Sequence, residues 1–195
     1  MRKEEISRKT RETEITVKLD LDGSGTAQVD TGIGFFDHML TAFAFHAGFD
    51  LAICCRGDLE VDCHHTVEDV GIVLGKAIDS ALGERRGINR YGSFSLPMDE
   101  TIANTALDIS NRPYLHFDIP DFPEGKIGDF DYQMIEEFFR ALAVQAGLTL
   151  HITAPYGRNM HHIAEAVSKS VGRALRMAVQ ITGNPDQVVS TKGVL

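Results

Sequence analysis

The sequence predicts an α+β fold that is internally duplicated, with the helices packed between two mostly antiparallel sheets. Strand-like segments with alternating polar and apolar residues are separated by longer segments with apolar residues at helical spacing. The second half of the chain repeats the order of the first. Because no Pro-rich or Ser-rich linker separates the halves, we expect one domain over residues 1–195. We expect it to consist of two ferredoxin-like half-domains, about 5–92 and 93–185, followed by a functional C-terminal tail.

Periodicity and turn residues predict the elements of the first half. The segment 13–21 alternates and ends at the turn sequence DGSG, so 27–30 is expected to return antiparallel to it. Apolar residues at helical spacing and a following glycine predict a helix over 35–48. The remaining predictions are strands at 51–55 and 59–62 and a long amphipathic helix from His64.

Three matches in the same order indicate the duplication. Residues 12–21 match 100–109, residues 35–48 match 134–147, and HHTVED at 64–69 matches HHIAEA at 161–166. A fixed order of strand pair, helix, strand pair and helix that occurs twice is typical of an internal repeat.

Composition excludes some classes of protein. The formal net charge of −9 argues against a general binder of nucleic acid or anionic membranes, since those partners select an excess of Lys and Arg. Three cysteines without a CxxC pair favour reduced thiols over a disulfide framework. The chain shows neither a secretory or transit-like leader nor an apolar run that could span a bilayer, so a cytoplasmic location is predicted.

Two His-His-x-x-Glu motifs mark the starts of the two long helices. In the first motif His64 and Glu68 share one helix face, whereas His65 is rotated by about 100°. The second motif, at 161–165, offers the same residue types. A single histidine at such a place more often caps the helix or lies in solvent, but two copies in register favour a metal site.

The repeat extends this ligand set to two further residues. It aligns His38 with Glu137, so we expect the two to be equivalent ligands. Mixed imidazole and carboxylate ligands without a thiolate favour an octahedral ion such as manganese, iron or zinc. Cys63 beside His64 does not indicate a zinc finger, because no second cysteine pair has the required spacing.

Basic residues beside turn signals suggest a phosphate clamp in this acidic chain. Each alone is more often a solvated surface charge, but together they could supply forked hydrogen bonds and a completing hydroxyl. The residues are Arg90, Arg112, Lys169 and, in the tail sequence STKG, Ser190 and Lys192.

These segments resemble the imidazoleglycerol-phosphate dehydratase family along nearly the whole chain. The matching motifs are GFFDHML, DCHHTVED, GINRYGSFSLPMDE, DISNRPYL, GRNMHHIAEA and STKGVL. The resemblance implies a duplicated subunit, two manganese ions per active site, and a homo-oligomer of about twenty-four subunits with active sites between subunits.

The resemblance also implies a role for each site residue. One metal would take His38, His65, His161 and Glu165, and the other His64, Glu68, Glu137 and His162. Other members commonly carry histidine at position 137, so the affinity and preference of that site are open. Arg90, Arg112, Lys169, Ser190, Thr191 and Lys192 would bind the substrate phosphate, and Glu12 would bind substrate and serve as the acid-base carboxylate.

The implied reaction converts D-erythro-imidazoleglycerol 3-phosphate to imidazole acetol phosphate and water, in histidine biosynthesis. The hydrogen lost from carbon is not next to a carbonyl, so a base alone cannot remove it easily. Binding of both ring nitrogens between two metal ions would stabilise the imidazolate and let the ring electrons expel the adjacent hydroxyl. Glu12 and the metal ligands other than Glu137 are the predicted catalytic residues.

Two other functions remain open from the residues alone. A dinuclear metallohydrolase could use the same ligands to activate water. In a metal-stapled assembly protein the ions would only join subunits, and no specific phosphate ligand would bind.

Overall fold

Two four-stranded sheets with the same strand order enclose four helices in this computed structural model, which describes residues 2–120, 124–182, 184 and 186–195. In chain order the elements are β1 (Lys3–Lys9), β2 (Thr13–Asp20), β3 (Ala27–Asp30), α1 (Gly34–Ala47), β4 (Asp50–Gly57), α2 (His64–Leu82), β5 (Tyr91–Met98), β6 (Thr101–Asp108), β7 (Tyr114–Asp118), β8 (Lys126–Ile127), β9 (Phe130–Asp131), α3 (Met134–Ala146), β10 (Thr149–Tyr156) and α4 (Met160–Val179).

The two sheets have matching topologies. The first has the order β1-β2-β4-β3 and the second the order β5-β6-β10-β7. In each sheet two neighbouring pairs are antiparallel, and the pair at the β3 or β7 edge is parallel. The predicted α+β class, with helices between two sheets, is therefore confirmed.

The predicted pairing and order of strands need correction at three places. The segment 27–30 does form a strand, but β3 is hydrogen-bonded in parallel to β4 and does not pair with β2. The predicted strand at 59–62 is wrong, because these residues form the turn that leads into α2. In place of the predicted strand pairs, the first half has three strands, a helix, one strand and a helix, and the second half has the same order with the short β8–β9 pair added before α3.

Alternation along the strands determines which sheet face the helices cover. In β2 the side chains of Ile15, Val17 and Leu19 are buried, and the residues between them are exposed or half-buried. Successive side chains on a strand point to opposite faces, so one apolar face of the sheet meets the helices and the other stays polar.

The helices pack in pairs that combine the two halves. α1 packs on α4, and α2 packs on α3. A glycine lies at each crossing, where an added Cβ would come within 2.8 Å of Leu142 O for Gly75 and within 2.6 Å of Phe43 O for Gly172. These glycines let the backbones of the paired helices approach closely.

Substitution of Gly92 by alanine is expected to destabilise the fold. A Cβ at this position in β5 would lie 1.9 Å from Ala174 O, a backbone atom of α4 that cannot rotate away. Overpacking of this kind costs about 1–3 kcal/mol. Thermal melting of Gly92→Ala should therefore begin at a lower temperature than that of Gly34→Ala, whose new Cβ meets nothing within 4 Å. Equal melting curves would contradict this account of the packing of α4 on β5.

None of the helices in the described part of the chain combines the length and the apolar character that crossing a membrane requires.

Candidate functional site

Three potential metal ligands meet where α1 packs on α4. Nε2 of His38 lies 3.3 Å from Oε2 of Glu165, and Nε2 of His161 lies 3.1 Å from the same oxygen. Among the residues that the structure describes, these are the only three His, Cys, Asp or Glu side chains whose donor atoms all lie within 4.8 Å of one another. Two imidazoles and a carboxylate without a thiolate form a donor set that suits a manganese, iron or zinc ion.

Glu165 keeps its negative charge in this cluster although it is buried. Burial acts to raise the pKa of Glu165, but the Lys169 ammonium, 2.5 Å from Oε1, and the His38 ring outweigh it and lower the pKa below its ordinary value. A carboxylate that stays ionised is ready to bind a cation.

A second group lies at the start of α2. Nε2 of His64 is 3.6 Å from Oε2 of Glu68, one helical turn along. Glu137 lies on α3, the helix that packs against α2, and its carboxylate is 3.4 Å from the Arg140 guanidinium. The repeat relates His64, Glu68 and Glu137 to His161, Glu165 and His38, but among the described residues their donor atoms do not all come within 4.8 Å of one another.

The second histidine of each motif contacts a different carboxylate. Nδ1 of His65 lies 3.0 Å from Asp58, whose hydrogen bond raises the pKa of His65 above its ordinary value. Nδ1 of His162 lies 2.7 Å from Glu100, which raises the pKa of His162 in the same way. Hydrogen bonds from His162 and from the Asn159 N–H hold the pKa of Glu100 far below its ordinary value.

Helix capping explains the local geometry of the second motif. The side chain of Asn159 accepts hydrogen bonds from the backbone N–H groups of His161 and His162, which satisfies two free donors at the start of α4. At α2 the N–H of His64 donates instead to Asp62, at 2.7 Å. Each histidine pair is therefore presented from an ordered first turn.

Glu12 lies in the turn between β1 and β2. Its N–H donates to the Thr10 hydroxyl at 3.1 Å, and its carbonyl accepts from the Asp58 N–H at 3.1 Å. Thr13 beside it donates to the buried carboxylate of Asp69 on α2. The backbone at Glu12 is thus fixed against α2, while Oε1 of its side chain lies 4.0 Å from Nε2 of His65.

Five of the predicted phosphate-binding residues lie at the end of the second sheet or in the tail beside it. Arg90 makes a forked ion pair with Asp108, at 2.7 and 3.0 Å, and donates to Val189 O of the tail at 2.6 Å. Arg112 lies 3.5 Å from the same carboxylate. Arg90 is thereby held beside the tail, in which the Lys192 N–H donates to the Ser190 hydroxyl and Thr191 is exposed. Lys169 is separate from this group and pairs with Glu165 in the α1–α4 cluster.

One chain therefore brings together only part of each predicted set. His38, His161 and Glu165 converge, and so do His64 and Glu68. His65, assigned to the first metal, does not join the α1–α4 cluster.

Two residues of the site were missed from the sequence. Asp58 and Glu100 contact the second histidine of each motif. The repeat aligns Glu100 with Glu12, so this alignment could have identified Glu100. Nothing in the pattern around Asp58 distinguishes it from the other acidic residues of its turn.

Comparisons with known proteins agree with the motifs. A family model described as imidazoleglycerol-phosphate dehydratase matches residues 31–175. Similar curated proteins of that name include one from Desulfitobacterium hafniense, 58% identical over all of this chain and 99% of its own length. Another, from Acetivibrio thermocellus, is 55% identical with the same coverage.

Solved structures agree in fold as well as in sequence. The Staphylococcus aureus imidazoleglycerol-phosphate dehydratase has a TM-score of 0.82 at 39% identity, with 91% of this chain and 98% of that chain covered. The Pyrococcus furiosus protein, solved in complex with (S)-C348, has a TM-score of 0.83 at 38% identity, with 97% and 100% covered. The chain therefore belongs to the imidazoleglycerol-phosphate dehydratase family of hydro-lyases, as its motifs predicted.

Proposed function

We propose that this chain dehydrates D-erythro-imidazoleglycerol 3-phosphate to imidazole acetol phosphate in histidine biosynthesis, with two Mn²⁺ ions per active site. The observation that carries the proposal is the convergence of His38, His161 and Glu165 in a member of this family. A phosphate-binding group of Arg90, Arg112 and the tail supports the assignment of a phosphorylated substrate.

The proposed ligand sets combine the side chains that meet in one chain with His65, Glu137 and His162, which lie apart from them. His65 would complete the site of His38, His161 and Glu165, while Glu137 and His162 would complete that of His64 and Glu68. When bound, the ions would hold both nitrogens of the substrate ring and stabilise its imidazolate form.

The remaining chemistry is assigned to side chains of the chain itself. Arg90 and Arg112 present guanidinium groups that can bind the substrate phosphate through paired hydrogen bonds. The hydroxyl on the carbon next to the ring leaves as water, and the Glu12 carboxylate takes the proton from the following carbon. The enol formed becomes the ketone when a proton is returned to the carbon next to the ring. Glu12 is suited to this work because its carboxylate is 54% exposed and has room to move.

The proposal includes assembly, because one chain does not complete either ligand set. A homo-oligomer, by family resemblance a 24-mer, would bring His65 of one subunit to the α1–α4 cluster of another. The proposed location is the cytoplasm, and neither nucleic acid nor membrane is a proposed partner.

Removal of metal is expected to abolish turnover. After treatment with chelator the protein should form no imidazole acetol phosphate, and addition of Mn²⁺ should restore the activity, because both ligand sets would be empty without it. Product formation from imidazoleglycerol phosphate is the measurement, with untreated protein as the control. Turnover that is unaffected by chelation would contradict the proposal, and metal-dependent hydrolysis of generic phosphate esters would favour a hydrolase instead.

A further inference from the structure

The two histidine pairs share a feature that the ligand sets do not explain. The second histidine of each pair has its Nδ1 against a carboxylate, Asp58 for His65 and Glu100 for His162. A neutral imidazole carries one N–H, so donation from Nδ1 leaves Nε2 with a free lone pair. The carboxylate thereby sets both the orientation of the ring and the nitrogen that can bind a metal.

The two carboxylates come from positions that are not equivalent in the repeat. Asp58 directly follows Gly57, which lies opposite Thr13 in the first sheet. In the second sheet β10 carries one extra residue between Thr153 and Tyr156, so Gly157 corresponds to Gly57 and Arg158 to Asp58. Arg158 supplies no carboxylate, and in the second half the carboxylate that contacts the histidine comes from the turn before β6, where Glu100 lies.

This difference gives the aligned residues Glu12 and Glu100 unequal freedom. Glu100 accepts hydrogen bonds from His162 and from the N–H groups of Arg158 and Asn159, at 3.2 and 2.8 Å, and is 31% exposed. The side chain of Glu12 contacts His65 only at 4.0 Å, because Asp58 already occupies the other ring nitrogen. The Glu100 carboxylate is therefore held by several hydrogen bonds, whereas the Glu12 carboxylate makes only the longer contact with His65 among the described residues.

We propose that Asp58 and Glu100 are positioning residues that each fix the ring and the tautomer of one metal-binding histidine. Because Asp58 contacts Nδ1 of His65 in the first half, the Glu12 carboxylate stays available for proton transfer. The inference rests on the proposed function, because it takes His65 and His162 as metal ligands.

A purely structural role predicts a different result. Glu100 could simply hold the turn before α4 through Arg158 and Asn159, and Asp58 could hold the turn before α2. Loss of either would then lower the melting temperature and leave the affinity for metal unchanged. A positioning role instead weakens one metal site and spares the other, because each carboxylate contacts a histidine of a different ligand set.

The test is the Mn²⁺ affinity of each of the two sites in the full-length assembled protein, measured by competition with a chelator. Asp58→Ala should weaken one site by about 10–100-fold, and Glu100→Ala should weaken the other by a similar factor. Asp58→Asn and Glu100→Gln should recover part of the affinity, since an amide oxygen still accepts the Nδ1–H bond. Glu60→Ala, an exposed acidic residue in the same turn as Asp58, is the matched control and should bind both ions as the wild type does.

Each outcome is decisive. Wild-type affinity at both sites in Asp58→Ala would overturn the inference, and so would a lowered melting temperature with unchanged affinity. If Glu100→Ala does not fold, Glu100→Gln retains an acceptor for the two backbone N–H groups and replaces it in the comparison. A wild-type protein that binds no Mn²⁺ would overturn the proposed function together with this inference, whereas tight wild-type binding with unaffected variants would overturn the inference alone.

Discussion

Glu12→Gln should lower kcat by about 10²–10⁴-fold, the range that a positioned general acid-base contributes, equivalent to about 3–5 kcal/mol. Glutamine matches glutamate in shape but cannot accept the proton from carbon. The backbone at position 12 is held by Thr10 and Asp58, contacts that the substitution does not touch. Steady-state turnover of imidazoleglycerol phosphate gives kcat, and KM should change little because the phosphate contacts remain.

A neighbouring glutamate provides the control for this prediction. Glu14 lies two residues further along, is 62% exposed and pairs with Lys9 at the surface. Glu14→Gln makes the same change of charge and should retain full activity. If Glu12→Gln assembles, binds two Mn²⁺ ions and turns over normally, Glu12 has no role in proton transfer.

Glu165→Ala is expected to remove one of the two bound ions and to lower kcat by about 10³-fold or more, since the chemistry depends on stabilisation of charge by metal. The carboxylate is the only anionic member of the α1–α4 cluster. Without it the Lys169 ammonium, now 2.5 Å from Oε1, would face two imidazoles and repel a divalent cation. Metal content per chain and turnover measure the two effects.

A distant acidic residue separates this effect from a general loss of charge. Glu84 is 78% exposed and pairs with Arg86, so Glu84→Ala should bind metal and react like the wild type. Two tightly bound ions per chain in Glu165→Ala would show that Glu165 is not a ligand.

The elements with strong periodicity could be predicted from the sequence. Predicted helices at 35–48 and from His64 correspond to α1 and α2, because each has a broad apolar face and a clear glycine end. Their repetition in the second half predicted α3 and α4 as well. The grouping of His38 with His161 and Glu165 was implied by the family resemblance, because helical spacing relates His161 to Glu165 but does not reveal that α1 packs on α4.

Weakly patterned segments could not be predicted in the same way. β1 is an edge strand with the sequence KEEISRK. It contains a single apolar residue, Ile6, so its sequence pattern gave little evidence for a strand. The turn at 59–62 alternates like a strand, yet Val61 is 64% exposed and pairs with no sheet. The parallel pairing of β3 with β4 depends on the crossover through α1, which four residues cannot reveal.

The pairing of α1 with α4 and of α2 with α3 has a consequence for the ancestry of the site. The α1–α4 cluster draws its side chains from both halves of the chain, as His38 lies in the first half and Glu165 in the second. A chain of half the length would hold an incomplete cluster however well it folded. Two identical copies of such a half would have to associate to bring these side chains together, and the duplication places both halves in one polypeptide.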